Sequence, residues 1–306
     1  MTSSPWPTGL MTALVTPLAD DELDEGALAL LIDRQVAAGV SGLVVGGGTG
    51  EYGALGVDER QRLAVAAIGT AAGRVPVVIQ TGCLTTRDAV RLSRHAEASG
   101  ADAIMVASPF GEAISWRERV RFYEVLTSEI SLPTMIYNTP PSGLLTFEQV
   151  LELAELPHIS AVKDSSGSPE LMGDLVEHAA TQDDFAVYVG LDSLLYDAVA
   201  TGARGAVFGA ANIIPGPLSA VARSVREDGP TPRSRELWAS IRLFLRHMER
   251  SPNYVALCKA GLNHQGLSVG DVRMPYLMPD HDEVRTLAVL LEDVEKAYAA
   301  WDDGSS

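Results

Sequence analysis

Eight short runs of apolar and β-branched residues recur at fairly even intervals along the chain, at 11–15, 42–45, 75–79, 103–107, 133–137, 159–163, 185–190 and 204–208. Between them lie stretches of helical period, among them 58–72, 86–99, 116–128 and 147–155, several opened by Asp, Ser or Thr in the position of an N-cap. The runs are apolar throughout and do not alternate in and out, the pattern of a parallel sheet covered on both faces. Eight such units before Pro215 fit a closed (β/α)8 TIM barrel better than an open doubly wound sheet. Beyond Pro215 the strand signal stops, and 218–226, 233–250, 254–264 and 283–300 read as the last barrel helix followed by a C-terminal helical extension. The expected division is a catalytic barrel over residues 8–226 and a packed extension over 227–302, with turns at 228–230 and 275–280 and frayed ends at 2–7 and 302–306.

Charge narrows the partners. Forty acidic residues against 23 basic ones give a formal net charge of −17, a field that repels phosphate backbones and anionic lipid. Neither nucleic acid nor a membrane surface is expected. A hydrophobic content of 46% supplies a large core and excludes a disordered chain. No apolar run approaches the roughly 20 residues that span a bilayer. Two distant cysteines, Cys83 and Cys258, and no basic-then-apolar start point to a reducing, cytoplasmic location, with both thiols read as packing residues. None of the six histidines (His95, His158, His178, His247, His264 and His281) ends an expected strand or forms an H-x-x-x-H pair, which disfavours metal chemistry.

A barrel carries its chemistry on the residues that finish each strand. Here these are Thr16, Gly46 to Glu51, Pro109-Phe110, Tyr137-Asn138-Thr139-Pro140, Lys163-Asp164-Ser165-Ser166-Gly167, Gly190-Leu191-Asp192 and Gly209 to Asn212. Lys163 ends a run that should be buried, and it reads two ways. It is either a desolvated amine able to attack a ketone or a strand-end lysine snorkelling to solvent. Tyr137, ending the neighbouring run, favours the nucleophile, because a phenol beside an amine can shuttle the protons of carbinolamine formation and dehydration. Alone it would read as a half-buried strand-end aromatic. The glycine run can cradle a small anion with backbone N–H groups, Thr49 adding a hydroxyl, or serve only as a tight turn. It is neither a Walker loop nor a dinucleotide fingerprint.

The succession Gly48-Thr49-Gly50-Glu51, Tyr137-Asn138-Thr139-Pro140, Val162 to Gly167 and Gly205 to Asn212 resembles the dihydrodipicolinate synthase/N-acetylneuraminate lyase family. The resemblance runs from about Leu10 to Pro279. It implies a homotetramer of TIM barrels that forms a lysine Schiff base with pyruvate or another 2-oxo acid. By it, Lys163 is the Schiff-base lysine and Tyr137 the proton relay, while Gly48, Thr49 and Gly50 bind the 2-oxo acid carboxylate. Val207 matches the position whose backbone carbonyl faces the site, and Asp192 matches an aspartate that binds substrate hydroxyls in the sugar-acid lyases. No cofactor is needed, since the protonated imine is the electron sink.

Three departures separate the chain from the synthases of that family. Gly48 replaces the first of two threonines. Gly111 follows Phe110 where a second tyrosine is usual, and 138–143 holds no arginine for the aldehyde's carboxylate. Ser142, Ser165, Ser166 and Asp192 suit hydroxyls or a neutral carbonyl, and Arg117 is the nearby cation that would change this. The expectation is therefore a lyase acting on a hydroxylated or neutral-tailed 2-oxo acid by aldol cleavage, condensation or dehydration. The alternatives are 4-hydroxy-tetrahydrodipicolinate (dihydrodipicolinate) synthase activity, and a non-catalytic barrel that senses a 2-oxo acid. Intact Lys163 and Tyr137 argue against the last.

Overall fold

The structure is a computed structural model that describes residues 6–182 and 184–302. Eight parallel strands close into a barrel: β1 (Gly9–Ala13), β2 (Gly42–Val45), β3 (Val77–Gln80), β4 (Ala103–Ala107), β5 (Thr134–Asn138), β6 (Ile159–Asp164), β7 (Ala186–Val189) and β8 (Gly205–Phe208). Each pairs with its sequence neighbours, and β1 lies between β8 and β2. The helices α1 (Glu25–Ala37), α2 (Val57–Ala71), α3 (Thr86–Ala98), α4 (Trp116–Thr127), α5 (Phe147–Ala154), α6 (Pro169–Ala179), α7 (Leu195–Thr201) and α8 (Pro215–Asp228) follow the strands in turn. The extension is α9 (Pro232–Arg250), α10 (Tyr254–His264) and α11 (His281–Asp302), with α11 packed along α9.

The helix starts are chemically marked. Asp24, Thr85, Ser115, Thr146 and Ser168 each accept a backbone N–H of the first turn, satisfying a donor that the helix cannot. Strand periodicity then sorts two cores. Met11, Ala13, Val44, Val78, Ala103, Met105, Met135, Ala161, Ala186, Tyr188 and Val207 fill the barrel, and the alternate residues pack against the helices. Tyr137 and Lys163 each stand two residues beyond an inward side chain, Met135 and Ala161, so the pleat turns both into the C-terminal mouth.

Two expectations change. The first strand is Gly9–Ala13 and not 11–15, because Leu14 and Val15 stay buried after the ladder ends, Val15 donating to Asn212 Oδ1 at 3.2 Å. Nor is the start of the chain frayed at Trp6. Only 1% exposed, Trp6 meets Tyr188 edge-on inside the barrel, and its indole N–H donates to Ser160 at 2.9 Å. Residues 2–5 and 303–306 lie outside the described residues, as does Asp183. α1, α6, α7 and a two-residue hairpin pairing Leu18–Ala19 with Glu22–Leu23 add to the elements read from sequence.

Candidate active site

Tyr137 and Lys163 are register partners across β5 and β6, and the Lys163 ammonium sits 4.4 Å from the centre of the Tyr137 ring. Lys163 is 5% exposed. Burial pushes the Tyr137 phenol up, but the Lys163 charge and the hydroxyls of Thr139 and Ser165 more than offset it and hold the phenol below its ordinary value. Such a phenol gives up and regains a proton more readily than a free tyrosine. Behind the pair, Asn138 Nδ2 donates to Asp164 Oδ1 at 2.6 Å and Ser166 Oγ to Asp164 Oδ2 at 2.8 Å. The first of these ties the ends of β5 and β6 together, and the second folds Ser166 back onto Asp164.

Gly190, at the end of β7, is held to glycine by this arrangement. A Cβ there would stand 2.6 Å from Lys163 Cε and 2.2 Å from Ser165 Oγ. The lysine stem and the Ser165 hydroxyl therefore pack on one bare Cα.

The glycine loop divides in two. Gly48 faces the site, since a Cβ on it would lie 3.9 Å from the Tyr137 hydroxyl, and Thr49 Oγ1 lies against Gly209 at the end of β8. Gly50 is packed on the backbone of Gly46 and Leu14, and its carbonyl accepts from Thr16 at 2.7 Å. Glu51 then adopts left-handed backbone, φ 59°, unusual for a residue with a side chain. Its carboxylate holds that conformation by pairing with the fully buried Lys259 of α10 at 2.7 Å and accepting the Arg273 N–H at 2.9 Å. Burial pushes the Lys259 ammonium down and Glu51 draws it back up.

Asp192 is 4% exposed, its Oδ2 accepting the Tyr254 hydroxyl and, at 3.1 Å, the Ala210 N–H. Burial raises its carboxyl to about 7. The Tyr254 bond, the Ala210 N–H and Lys163 restrain the rise, and Glu249 adds to it. Val207 is buried on the inward face of β8 in register with Met11. Ser142 is buried with its hydroxyl unpartnered among the described residues. Arg117 is exposed; the cation that reaches the strand-five loop is Arg119, bonded to the carbonyls of Ser142 at 2.8 Å and Gly143 at 3.0 Å.

Tyr254, Lys259, Arg119 and Tyr52 escaped the sequence reading. Tyr52 meets Phe110 edge-on at 5.3 Å, and burial, with Tyr137 next, pushes its phenol up to about 12. Only Lys259 left a trace, a lysine inside an apolar helical stretch.

The sequence profile of the dihydrodipicolinate synthetase family matches residues 6–294. The chain belongs to that family. It is 31% identical over 288 residues to 4-hydroxy-tetrahydrodipicolinate synthase of Bacillus velezensis, covering 93% of this chain and 98% of the relative. It is 39% identical over 234 residues to the enzyme of that name from Salinibacter ruber, covering 74% and 76%. Among solved structures, the 4-hydroxy-tetrahydrodipicolinate synthase of Methylacidiphilum fumariolicum SolV superposes with a TM-score of 0.91 at 27% identity, over 97% of this chain and 98% of that one. YagE of E. coli K12, a prophage protein of the dihydrodipicolinic acid synthase family solved with pyruvate, gives 0.89 at 28%, over 94% and 98%. The family's barrel is the observed fold, and the protein is a lyase. No helix among the described residues is long and apolar enough to cross a membrane.

Proposed function

We propose that the protein is a Schiff-base lyase in which Lys163 attacks the keto carbon of pyruvate or another 2-oxo acid. The observation that carries this is the inward-facing register pair of Tyr137 and Lys163, ammonium over ring at 4.4 Å. The amine adds to the carbonyl, Tyr137 passes a proton to the carbinolamine oxygen, and water leaves the protonated imine. Loss of a proton from the adjacent carbon gives an enamine, which then makes or breaks the next bond. Gly48 and Thr49 border the Tyr137 hydroxyl and the end of β8, where backbone donors can hold the 2-oxo acid's carboxylate. Borohydride with pyruvate should leave a stable mass on the peptide carrying Lys163 and none on Lys163→Ala. An adduct on another lysine would overturn the assignment.

For the second substrate, the relatives' names favour 4-hydroxy-tetrahydrodipicolinate synthase activity, which we read as condensation with aspartate semialdehyde. The local geometry favours a hydroxylated or neutral-tailed partner. Segment 138–143 contains no cation, and the Arg119 guanidinium is engaged by two loop carbonyls, while Asp192 and Ser142 offer hydroxyl partners. An entering carboxylate without a cation loses several kcal/mol of solvation. We take the geometry as the guide and keep the synthase as the second reading. A side-by-side comparison decides: semialdehyde condensation with kcat/KM above about 10⁴ M⁻¹s⁻¹ would establish the synthase. The same proposal places the enzyme in the cytoplasm as a homotetramer, which light scattering at micromolar concentration checks.

A further inference from the structure

The glycine loop after β2 is held in shape from the helical extension. Glu51 closes the loop in left-handed backbone, φ 59° and ψ 32°, its N–H bonded to the Gly48 carbonyl at 3.0 Å. The next N–H, of Tyr52, bonds to the Gly47 carbonyl at 3.3 Å. A residue with a side chain stays in that conformation only where its surroundings hold it. What holds Glu51 belongs to the extension: Lys259 of α10 forms an ion pair with Oε1 at 2.7 Å, and the Arg273 N–H reaches Oε2 at 2.9 Å. Lys259 is fixed in turn by donating to the Asp271 carbonyl at 2.7 Å, and both side chains of the pair are sealed from solvent. The carbonyls of Gly47, Gly48 and Gly50 are therefore occupied, the last by the Thr16 hydroxyl. The N–H groups of Gly48, Thr49 and Gly50 meet no acceptor among the described residues. Three consecutive donors are left over beside the Tyr137 hydroxyl, and the residue that closes their loop is gripped by the extension.

We propose that Lys259 is a positioning residue: through Glu51 it fixes the direction of these N–H groups, so that the extension sets how tightly the barrel holds the carboxylate of a 2-oxo acid. The proposal rests on the Schiff-base reading and assigns part of that site's affinity to a helix outside the barrel. Glycines give the loop no side chains with which to lock itself, and donors that are already aimed bind an anion without the cost of ordering them. Release of Glu51 from left-handed backbone would turn the peptide units before it and spread the three donors. The ion pair is neutral as a whole, so its effect on the loop is one of direction. Replacing both members by uncharged side chains of similar size leaves the net charge around the loop unchanged and removes the grip.

The experiment measures the half-saturation and the limiting rate of borohydride trapping at Lys163 for two probes, pyruvate and its neutral methyl ester. Lys259→Met should raise the half-saturation for pyruvate about ten-fold, as loss of a hydrogen bond to a charged group does, and leave the limiting rate nearly unchanged. The ester, which carries no carboxylate, should keep its wild-type half-saturation. Because Lys259→Met strands a buried charge and can unfold the chain, Glu51→Gln with Lys259→Met is measured beside it. This double variant should be the more stable of the two and still bind pyruvate about ten-fold more weakly than wild type. Wild-type affinity for pyruvate in the folded double variant, or equal penalties on acid and ester, would overturn the proposal while leaving the Schiff-base reading intact. A wild-type protein that traps no pyruvate at Lys163 would overturn that reading and this proposal with it.

Discussion

Two sides of the same mouth are built in different ways. On the β5–β6 side, Tyr137 and Lys163 sit on adjacent strands, are fixed in register by the ladder and are turned inward by the pleat. On the β7–α10 side, Asp192 and Tyr254 meet across 62 residues of chain, and no strand register sets their separation. Backbone hydrogen bonding dictates the first pair; packing of a separate helical layer dictates the second. The first is rigid and suits the bond-making step common to every substrate. The two walls adjoin each other, since β6 pairs with β7 and Lys163 packs on Gly190 at the end of β7.

The largest expected effect falls on the first wall. Tyr137→Phe should lower turnover by roughly 10² to 10⁴ on every 2-oxo acid tested, as removal of a general acid–base group does, with the thermal midpoint little changed. Near-normal turnover would reduce Tyr137 to packing and remove the contrast between the walls.

The contact between barrel and extension comes next. Lys259→Met leaves Glu51 buried without its partner and should cost about 3–5 kcal/mol in urea unfolding, because an uncompensated charge remains in the interior. An unchanged unfolding free energy would mean that water reaches Glu51. Replacing both partners, Glu51→Gln with Lys259→Met, should recover part of the loss.

Gly190→Ala tests how tightly the walls constrain each other. Its Cβ would overlap Lys163 Cε and Ser165 Oγ, so the lysine must swing away. A stability loss of about 1–3 kcal/mol is expected, with a fall in turnover at an unchanged fold. Full activity would show that the lysine can shift without losing its aim.

The last effect is a pH dependence. In the folded chain the Asp192 carboxyl is raised to about 7, against about 3.9 for an unfolded aspartate. The native state therefore binds the proton more tightly, and this contribution to stability is complete below pH 4, falls as pH rises to about 7 and is lost above it. Asp192→Asn should accordingly gain stability over wild type at pH 8 relative to pH 4, by a few kcal/mol at most. A pH-independent difference would place the ordinary aspartate value on Asp192.

The unequal legibility of the two walls follows from their construction. A lysine and a tyrosine at the ends of neighbouring apolar runs are visible in a linear sequence because parallel strands in a barrel are adjacent in both senses. Asp192 was visible as a strand-end residue and through the family resemblance, and Tyr254 not at all, since an aromatic at the first turn of a helix carries no mark of what it faces. Arg117 and Arg119 illustrate the same limit. Both lie on one helix two residues apart, and only the helix rotation decides that Arg119 meets the strand-five loop while Arg117 faces solvent.

By itself the sequence determined the barrel, the order of its strands and the inward-facing amine and phenol, because each depends on short-range periodicity and on ladder register that repeats from strand to strand. The tertiary structure alone decided three further features: the pairing of Glu51 with Lys259, the bare Cα of Gly190 under the lysine, and the anchoring of Asp192 by Tyr254. Each joins elements whose relative placement follows from how side chains of the extension and the barrel fill space together, and no local pattern in the chain encodes that distance.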